Sequence, residues 1–270
     1  MILNLLILIF LAGIAILTVM LITSLKARNK ILKGIRGNPF YMIKGPLVSA
    51  IIPTLDEEDY LPKCLKSLKN QTYQNIEIIV VDNFSKDRTV EIAKNFGAKI
   101  IKVSERNLSL VRNEGAKRAK GKILLFVDAD CILSQNYVEK IIKELSKKVV
   151  LSHGGVCTYD SLFHGFLRVF SRWLRPYFYT SGSGICLWQK AFWGLGGFDQ
   201  NLDPFKGERE DLDLGKRILK KFGLFSIKYS PTVLIGTSAR REKIFGYPIF
   251  KFPSAWTEGA RGVRKGKIIY

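Results

Sequence analysis

Four short apolar runs alternate with amphipathic stretches between residues 47 and 127, and this alternation restricts the fold more than any other feature of the sequence. The β-branched-rich apolar runs are Leu47–Pro53, Ile76–Val81, Lys99–Val103 and Ile123–Val127. The stretches between them have the apolar spacing of helices and cover Glu58–Asn70, Thr89–Asn95 and Leu108–Ala119. Strands joined by helical crossovers form sheets that helices cover on both faces. The pattern therefore predicts an α/β fold with a mostly parallel sheet flanked by helices.

Carboxylates follow three of the four predicted strands, at the sheet edge where α/β proteins bind their ligands. Glu57 follows the first run, Asp82 and Asp87 follow the second, and Asp128 and Asp130 follow the fourth. A single Asp in such a position is often a turn or a helix cap. Asp128 and Asp130 would repel each other unless a cation or a donor-rich ligand lay between them. Hard oxygen ligands suit Mg²⁺ or Mn²⁺, and no GxxxxGK[ST] loop indicates a P-loop site.

The first 25 residues carry no charged side chain, and Ile2–Ile22 is almost wholly apolar. A helix of about 21 residues rises roughly 31 Å, which matches the hydrocarbon core of a bilayer. A signal peptide would begin with positive charge and end at a small-residue cleavage site, and neither is clear here. We interpret residues 1–25 as an uncleaved transmembrane anchor, with a signal peptide or a buried helix as the alternatives.

The formal net charge of +20 is concentrated toward the two ends of the chain. Residues 26–45 contain six basic and no acidic side chains, and residues 216–270 contain thirteen basic and two acidic ones. Basic residues beside a span favour the cytoplasmic side, so the sequence predicts a single-pass protein with its catalytic domain on the cytoplasmic face. Basic ends suit anionic lipid or a nucleic-acid backbone. Because a tethered chain already lies beside a lipid surface, we expect a membrane and no nucleic acid as partner.

These features divide the chain into four predicted segments. They are a transmembrane anchor at 1–25, a basic juxtamembrane linker at 26–45, a catalytic domain at 46–230 and a basic membrane-proximal tail at 231–270. The four cysteines form no CxxC pair, so we expect reduced thiols in a cytosolic compartment. His153 and His164 have no metal-ligand partner at a suitable spacing and receive no role.

Six motifs occur in a characteristic order: PTLDEE, VDNFSKDRT, LVRNEGAKRAKG, FVDAD, GLGGFD and ERED. Together they resemble a family 2 glycosyltransferase with the GT-A fold, over about Leu47–Gly223. The resemblance implies an inverting enzyme that uses a nucleotide-sugar donor and a divalent cation, Mn²⁺ or Mg²⁺. A lone DxD motif occurs often by chance, whereas six motifs in the family's order are a specific signal.

The resemblance also assigns residues to the two substrates. It implies donor-binding roles for Pro53, Thr54, Glu57, Asp82, Asp87, Arg112, Asn113, Asp128 and Ala129. Asp82 would accept from the ring N–H of the base, Asp87 would cap a helix or touch the nucleotide, and Arg112 is similar to a diphosphate contact. The metal would bind Asp130, with Asp128 on the ribose or on a metal-bound water. The acceptor side would comprise Gly196, Gly197, Phe198, Asp199 and Glu210.

Transfer to a hydroxyl also requires a base that removes its proton. Asp211 is the candidate, because Asp128 and Asp130 are committed to the diphosphate and the base must come from another segment. The alternatives are Glu208, Glu210 and Asp213. The whole acidic run could instead be structural, because carboxylates interact favourably with the positive N-terminal end of a helix. A phosphate acceptor needs no base, so a catalytic role for Asp211 would favour a hydroxyl acceptor.

The sequence leaves the acceptor open. The QxxRW motif and the several spans of processive polysaccharide synthases are absent, so transfer of a single sugar to a glycan or lipid-linked hydroxyl is expected. A polyprenyl-phosphate glycosyltransferase and a catalytically inactive nucleotide-binding membrane scaffold are the alternatives. The stretch Ser161–Tyr179 interleaves aromatic and basic residues, which suits either a membrane interface or a core helix that covers the sheet.

Overall fold

The computed structural model describes residues 2–37, 41–165, 182–202 and 209–240. The strands of this part of the chain are β1 Val48–Thr54, β2 Ile76–Asp82, β3 Lys99–Lys102, β4 Ile123–Phe126, β5 Cys131–Leu133, β6 Leu151–Thr158, β7 Ile185–Trp188 and β8 Ile227–Thr237. The helices are α1 Ile2–Arg36, α2 Leu61–Lys69, α3 Thr89–Asn95, α4 Leu108–Lys117, α5 Tyr137–Glu144, α6 Gln189–Gly194 and α7 Glu210–Phe222.

The strands form one mixed sheet in the order β3-β2-β1-β4-β7-β6-β8-β5. Strands β1 to β4 are parallel to one another, as the apolar runs predict. Strand β7 pairs antiparallel with β4 and β6, and β5 pairs antiparallel with β8, whereas β6 and β8 are parallel. The predicted α/β fold with one N-terminal apolar helix is confirmed. The second half of the sheet is mixed because β7 pairs antiparallel with β4.

Helices cover both faces of the sheet, and alternate residues of each strand serve the two layers. Ala50 and Ile52 of β1 face one apolar cluster with α2 and α5, while Ile51 faces the other with α4, α6 and α7. Gly115 lets α4 lie directly on β1 and β2, because a Cβ there would stand 2.5 Å from the Ile51 side chain. Strands buried on both faces read as continuous apolar runs, which is why they were visible in the sequence.

Helix α1 continues well past the apolar stretch. The segment Ile9–Arg36 meets the length and composition of a membrane span, a test that a signal sequence also meets. Ala27 and Ile31 are buried against β5, β6 and β8. The Arg28 Nε donates to the Tyr159 carbonyl at 2.8 Å, and Lys30 Nζ to a β8 carbonyl at 2.7 Å. Residues 26–36, predicted as part of a linker, are therefore a docked continuation of the helix.

The structure covers only part of two other predicted segments. Residues 231–237, assigned to the C-terminal tail, belong to β8, and the tail beyond residue 240 lies outside the described residues. Of the aromatic-basic stretch, only residues 161–165 are described, and Phe163 is exposed there. The four cysteines are buried and form no disulfide with one another, as expected for reduced thiols.

Candidate active site

The carboxyl ends of β1 and β2 form one wall of the site, because parallel pairing sets Thr54 beside Asp82. The loops after these strands are bonded to each other. Lys86 N–H donates to Asp56 Oδ1 at 2.7 Å, and Glu57 N–H donates to Thr89 Oγ1 at 2.7 Å. The Thr54 hydroxyl donates to a β2 carbonyl at 3.3 Å. The predicted nucleotide residues are thus held together on a single rigid edge.

Asp82 combines burial with a vacant acceptor atom. Its carboxylate is almost fully buried, and its Oδ1 has no hydrogen-bond partner among the described residues. Burial raises the pKa of Asp82, although hydrogen bonds with Ser85 act in the opposite direction. A buried hydrogen-bond acceptor without a partner destabilises the protein unless a ligand donates to it. The predicted hydrogen bond from a ring N–H of the nucleotide base would satisfy Asp82 Oδ1.

Asp87 has both carboxylate oxygens engaged. Its Oδ1 accepts from the Thr89 N–H at 2.9 Å at the start of α3, and its Oδ2 accepts from the Glu58 N–H at 2.9 Å. Burial would raise the pKa of Asp87, but these hydrogen bonds hold it below its usual value. Arg88 occupies the N-cap position of α3, so the Asp87 carboxylate joins the loop after β1 to the start of α3 from one residue before it, and its helix-cap and nucleotide roles stay predictions.

Each carboxylate of the DxD motif has an arginine beside it. Asp128 Oδ1 lies 2.7 Å from Arg112 Nη2, and Asp130 Oδ2 lies 3.3 Å from Arg240 Nε. The two guanidinium groups therefore offset the electrostatic repulsion that the sequence predicts between these carboxylates. Asp130 Oδ1 also accepts from the Thr237 hydroxyl at 3.3 Å.

The DxD carboxylates fit a divalent cation. One ligand atom each from Asp128, Asp130 and Cys131 lies within 4.8 Å of the other two. Burial raises the pKa of the Cys131 thiol well above its usual value, and the negative charge of Asp130 raises it further. The sulfur is therefore a neutral thiol, and the two carboxylates are the hard ligands that Mn²⁺ or Mg²⁺ requires. Ala129 between them is buried and spaces the two carboxylates.

Arg112 is the central cation of the site. It is fully buried and ion-paired with both Asp128 and Glu210, and it lies over the Phe198 ring at 5.6 Å. Burial disfavours its charge, but Asp128 and Glu210 raise the pKa of Arg112 above its ordinary value. The arginine that the resemblance places near the diphosphate is thus fixed by two carboxylates that also belong to the predicted site.

Asn113 holds the predicted acceptor-side turn. Its Nδ2 donates to the Phe198 carbonyl at 2.8 Å, and its Oδ1 accepts from the Phe198 N–H at 2.9 Å. Gly197 has a φ of 78°, and a Cβ there would stand 2.8 Å from the Asn113 Oδ1. The Asn113 amide is therefore engaged with this turn, and its contact with the donor stays a prediction.

The other residues of the turn occupy different environments. The Phe198 ring is buried and packs edge-on against Phe126, with centroids 4.9 Å apart, and Arg112 lies over it, while its acceptor-side role stays a prediction. Gly196 has a φ of 83° and open space where a Cβ would be, so its requirement is conformational. Asp199 Oδ1 accepts from the Asn201 N–H at 2.9 Å and lies at the surface of the turn.

Asp211 lies in the first turn of α7, where the amphipathic pattern places it. Its side chain is 1% exposed, and it is ion-paired with Arg209. Burial raises the pKa of Asp211, against the opposing charge of Arg209. A Cβ on Gly182 would stand 3.4 Å from Asp211 Oδ2 and 3.5 Å from Arg112 Nη2, so the two groups border the same space.

The alternative bases have other partners or positions. Asp213 is ion-paired with Arg217 at 2.6 Å, and Glu210 is ion-paired with Arg112. Glu208 lies outside the described residues. Of the acidic run, Asp211 therefore combines burial, a raised pKa and proximity to Arg112.

Sequence reasoning missed Arg240, which is a second cation of the site. Its Nη1 and Nη2 donate to the two Glu57 oxygens at 2.9 and 2.5 Å, and the guanidinium lies 4.5 Å from the Tyr60 ring centroid. The residue had been counted in a basic tail. No local pattern marks it, because its partners are far away in the chain.

Comparisons with known proteins identify the family and the fold. The model of the family described as glycosyl transferase family 2 matches residues 49–185, just over half of the chain. The glycosyltransferase GlyA of Streptococcus pneumoniae is 38% identical over 109 residues, which are 38% of this chain and 16% of GlyA. The matched part thus spans only a small share of that relative.

Two solved structures share the fold at low sequence identity. A mannosyltransferase from Pyrobaculum calidifontis, in complex with GDP-Man and Mn²⁺, has a TM-score of 0.59 and 18% identity over 94% of this chain and 77% of its own. S. aureus TarS 1-349, in complex with UDP-GlcNAc, has a TM-score of 0.55 and 17% identity over 70% of this chain and 57% of its own. The match of the family model to just over half of the residues shows that the chain belongs to glycosyl transferase family 2.

Proposed function

We propose that the chain is a membrane-anchored, inverting glycosyltransferase that moves one sugar from a nucleotide-sugar donor to a hydroxyl of a lipid-linked glycan. The observation that carries the proposal is the meeting of Asp82, the DxD carboxylates, Arg112 and Asp211 at one sheet edge. The nucleotide sugars bound to the mannosyltransferase and to TarS support the class of donor.

The donor would lie along the edge formed by β1, β2 and β4. Asp82 offers its unpartnered oxygen to the base, while Pro53 and Thr54 border it at the end of β1. Asp128 and Asp130 would hold Mn²⁺ or Mg²⁺, which when bound neutralises the charge that develops on the leaving diphosphate. Arg112 keeps Asp128 oriented from beneath.

Asp211 would accept the proton of the acceptor hydroxyl. Its burial raises its pKa, which brings a carboxylate closer to the working pH of a general base. Attack by the hydroxyl from the face opposite the diphosphate inverts the anomeric centre. Glu210 and the turn Gly196–Asp199, held by Asn113, would border the acceptor on that side.

The docking of α1 supports an acceptor in the membrane. Arg28 bonds to the Tyr159 carbonyl directly after β6, and Tyr159 N–H donates to the Thr237 carbonyl, whose hydroxyl reaches Asp130. Farther along α1, the Gly34 carbonyl accepts from Asn70 at the end of α2. The helix thus runs toward the carboxyl edge of the sheet as it approaches its apolar half. A span leaving at that edge would turn the site toward the bilayer.

The proposal is tested with the full-length chain in nanodiscs. Nucleotide sugars are screened with Mn²⁺ for transfer to a lipid-linked oligosaccharide and to a polyprenyl phosphate, and the anomeric configuration of the product is measured by NMR. We expect an inverted product on the oligosaccharide, and Asp211→Asn should form it about 10² to 10⁴-fold more slowly. If Asp211→Asn and the wild-type chain are equally active on the polyprenyl phosphate, this result would support the phosphate acceptor instead. Binding of a nucleotide sugar without transfer to either acceptor would favour the inactive nucleotide-binding scaffold.

The cytoplasmic orientation follows from the basic residues after the span. Protease protection of a tag placed before residue 1, in sealed inverted vesicles, tests it. We expect the tag to be protected and the catalytic domain to be cleaved.

A further inference from the structure

Arg240 bridges two segments of the candidate site that lie far apart in the chain. Two nitrogens of its guanidinium donate to the Glu57 carboxylate after β1, and its Nε lies 3.3 Å from Asp130 Oδ2 after β4. The backbone that carries it is fixed, because Ser238 N–H donates to the Asp130 carbonyl at 3.2 Å and Ala239 N–H donates to Asp160 at 2.7 Å. The guanidinium therefore lies directly beside the proposed metal ligand on a fixed backbone.

The electrostatics explain why a cation occupies this place. The side chains of Asp130 and Glu57 are 8% and 7% exposed, and buried carboxylates are costly without a positive partner. Burial disfavours the charge of Arg240, but Glu57 and Asp130 raise its pKa above the ordinary value. Arg240 therefore remains charged and places a positive charge beside Asp130.

We propose that Arg240 is the counter-cation of Asp130 before the metal binds, and that the divalent cation displaces it toward the diphosphate of the donor. This inference rests on the proposed function. A divalent ion at Asp130 would repel a guanidinium at the same oxygen. Glu57 still holds the other edge of the guanidinium, so the displaced group stays at the site. Its planar fork suits phosphate oxygens.

The proposal predicts effects of opposite sign for two ligands. Arg240→Gln removes the charge that competes with the metal, so the affinity for Mn²⁺ alone should rise about tenfold. It also removes a cation that the diphosphate uses, so the affinity for inorganic pyrophosphate in saturating Mn²⁺ should fall about tenfold. Both are measured on the full-length chain in nanodiscs, Mn²⁺ by electron paramagnetic resonance and pyrophosphate by calorimetry.

Two variants make the result specific. Arg240→Lys keeps the charge and should leave the Mn²⁺ affinity within about twofold of the wild type, while pyrophosphate binding weakens through loss of the fork. Lys143→Gln removes a different positive charge, which is paired with the buried carboxylate of Glu139 on α5, and should change neither affinity. Melting temperatures of all variants show whether each is folded.

Two outcomes would overturn the role of Arg240. One is a fall of both affinities in a folded Arg240→Gln variant, which would indicate a structural part only. The other is no change in either. Neither outcome depends on turnover, so the proposed function could survive both. That function fails separately, if the wild-type chain neither binds nor hydrolyses any nucleotide sugar.

Discussion

Ile31 on α1 gives a direct test of whether this helix is part of the catalytic domain. Its side chain is 0% exposed and packs against Ile132, Cys157, Tyr159 and Leu234. Ile31→Ala removes three carbons, which at roughly 0.8 kcal/mol per buried CH₂ costs about 2.4 kcal/mol before any cavity is counted. Because large-to-small changes in cores cost roughly 2 to 5 kcal/mol, we expect a loss of about 3 kcal/mol.

The assay is thermal unfolding of the full-length chain in detergent micelles, followed by tryptophan fluorescence. For a chain of this size, about 3 kcal/mol corresponds to a fall in melting temperature of about 6 to 12 °C. The matched control is Ile16→Ala on the same helix, where the side chain is 59% exposed on the protein. We expect less than about 2 °C there. Equal shifts for the two variants would refute the docking of α1.

Three further variants test separate parts of the structure. Asp211→Asn should lower kcat by about 10² to 10⁴-fold, and wild-type kcat/KM should fall as pH drops through the raised pKa of Asp211; unchanged kcat on a hydroxyl acceptor would exclude it as the base. Burial lowers the pKa of His153 from 6.5 to about 4, so the unfolded chain binds more protons than the folded chain between these pH values. The free energy of unfolding should therefore fall by up to about 3 kcal/mol as the pH drops from 6.5 to 4. His153→Gln should remove this pH dependence. Phe84 has a φ of 62° and is exposed, so Phe84→Gly should raise the free energy of unfolding by up to about 1 kcal/mol, and a lower melting temperature would show that the ring is needed for stability.

The parallel half of the fold was predictable because its signals are local. Strand β2 begins at the predicted Ile76, and α3 matches Thr89–Asn95 at both ends. These elements alternate between continuous apolar runs and helical spacing, which the sequence displays directly. Strand β5 and helix α6 are short, with three and six residues, and carry too little periodicity to be recognised.

The candidate site was partly predictable for a similar reason. Asp82 ends one buried strand and the DxD carboxylates follow another, so the local pattern predicts their position at the sheet edge. The contacts of Asn113 and Arg240 depend on partners 85 and 183 residues away, and such contacts leave no local pattern. The same limit applies to α1, whose basic second half resembles a linker until Ile31 is seen to pack against the sheet.

Metal-dependent release of sugar from a nucleotide-sugar donor tests the central claim most directly. The measurement compares the wild-type chain with Asp130→Asn, which keeps the shape of the side chain but removes a charged metal ligand. We predict Mn²⁺- or Mg²⁺-dependent turnover by the wild type, its loss in excess EDTA, and its loss in the folded variant. Full turnover in excess EDTA, or by Asp130→Asn, would contradict the account.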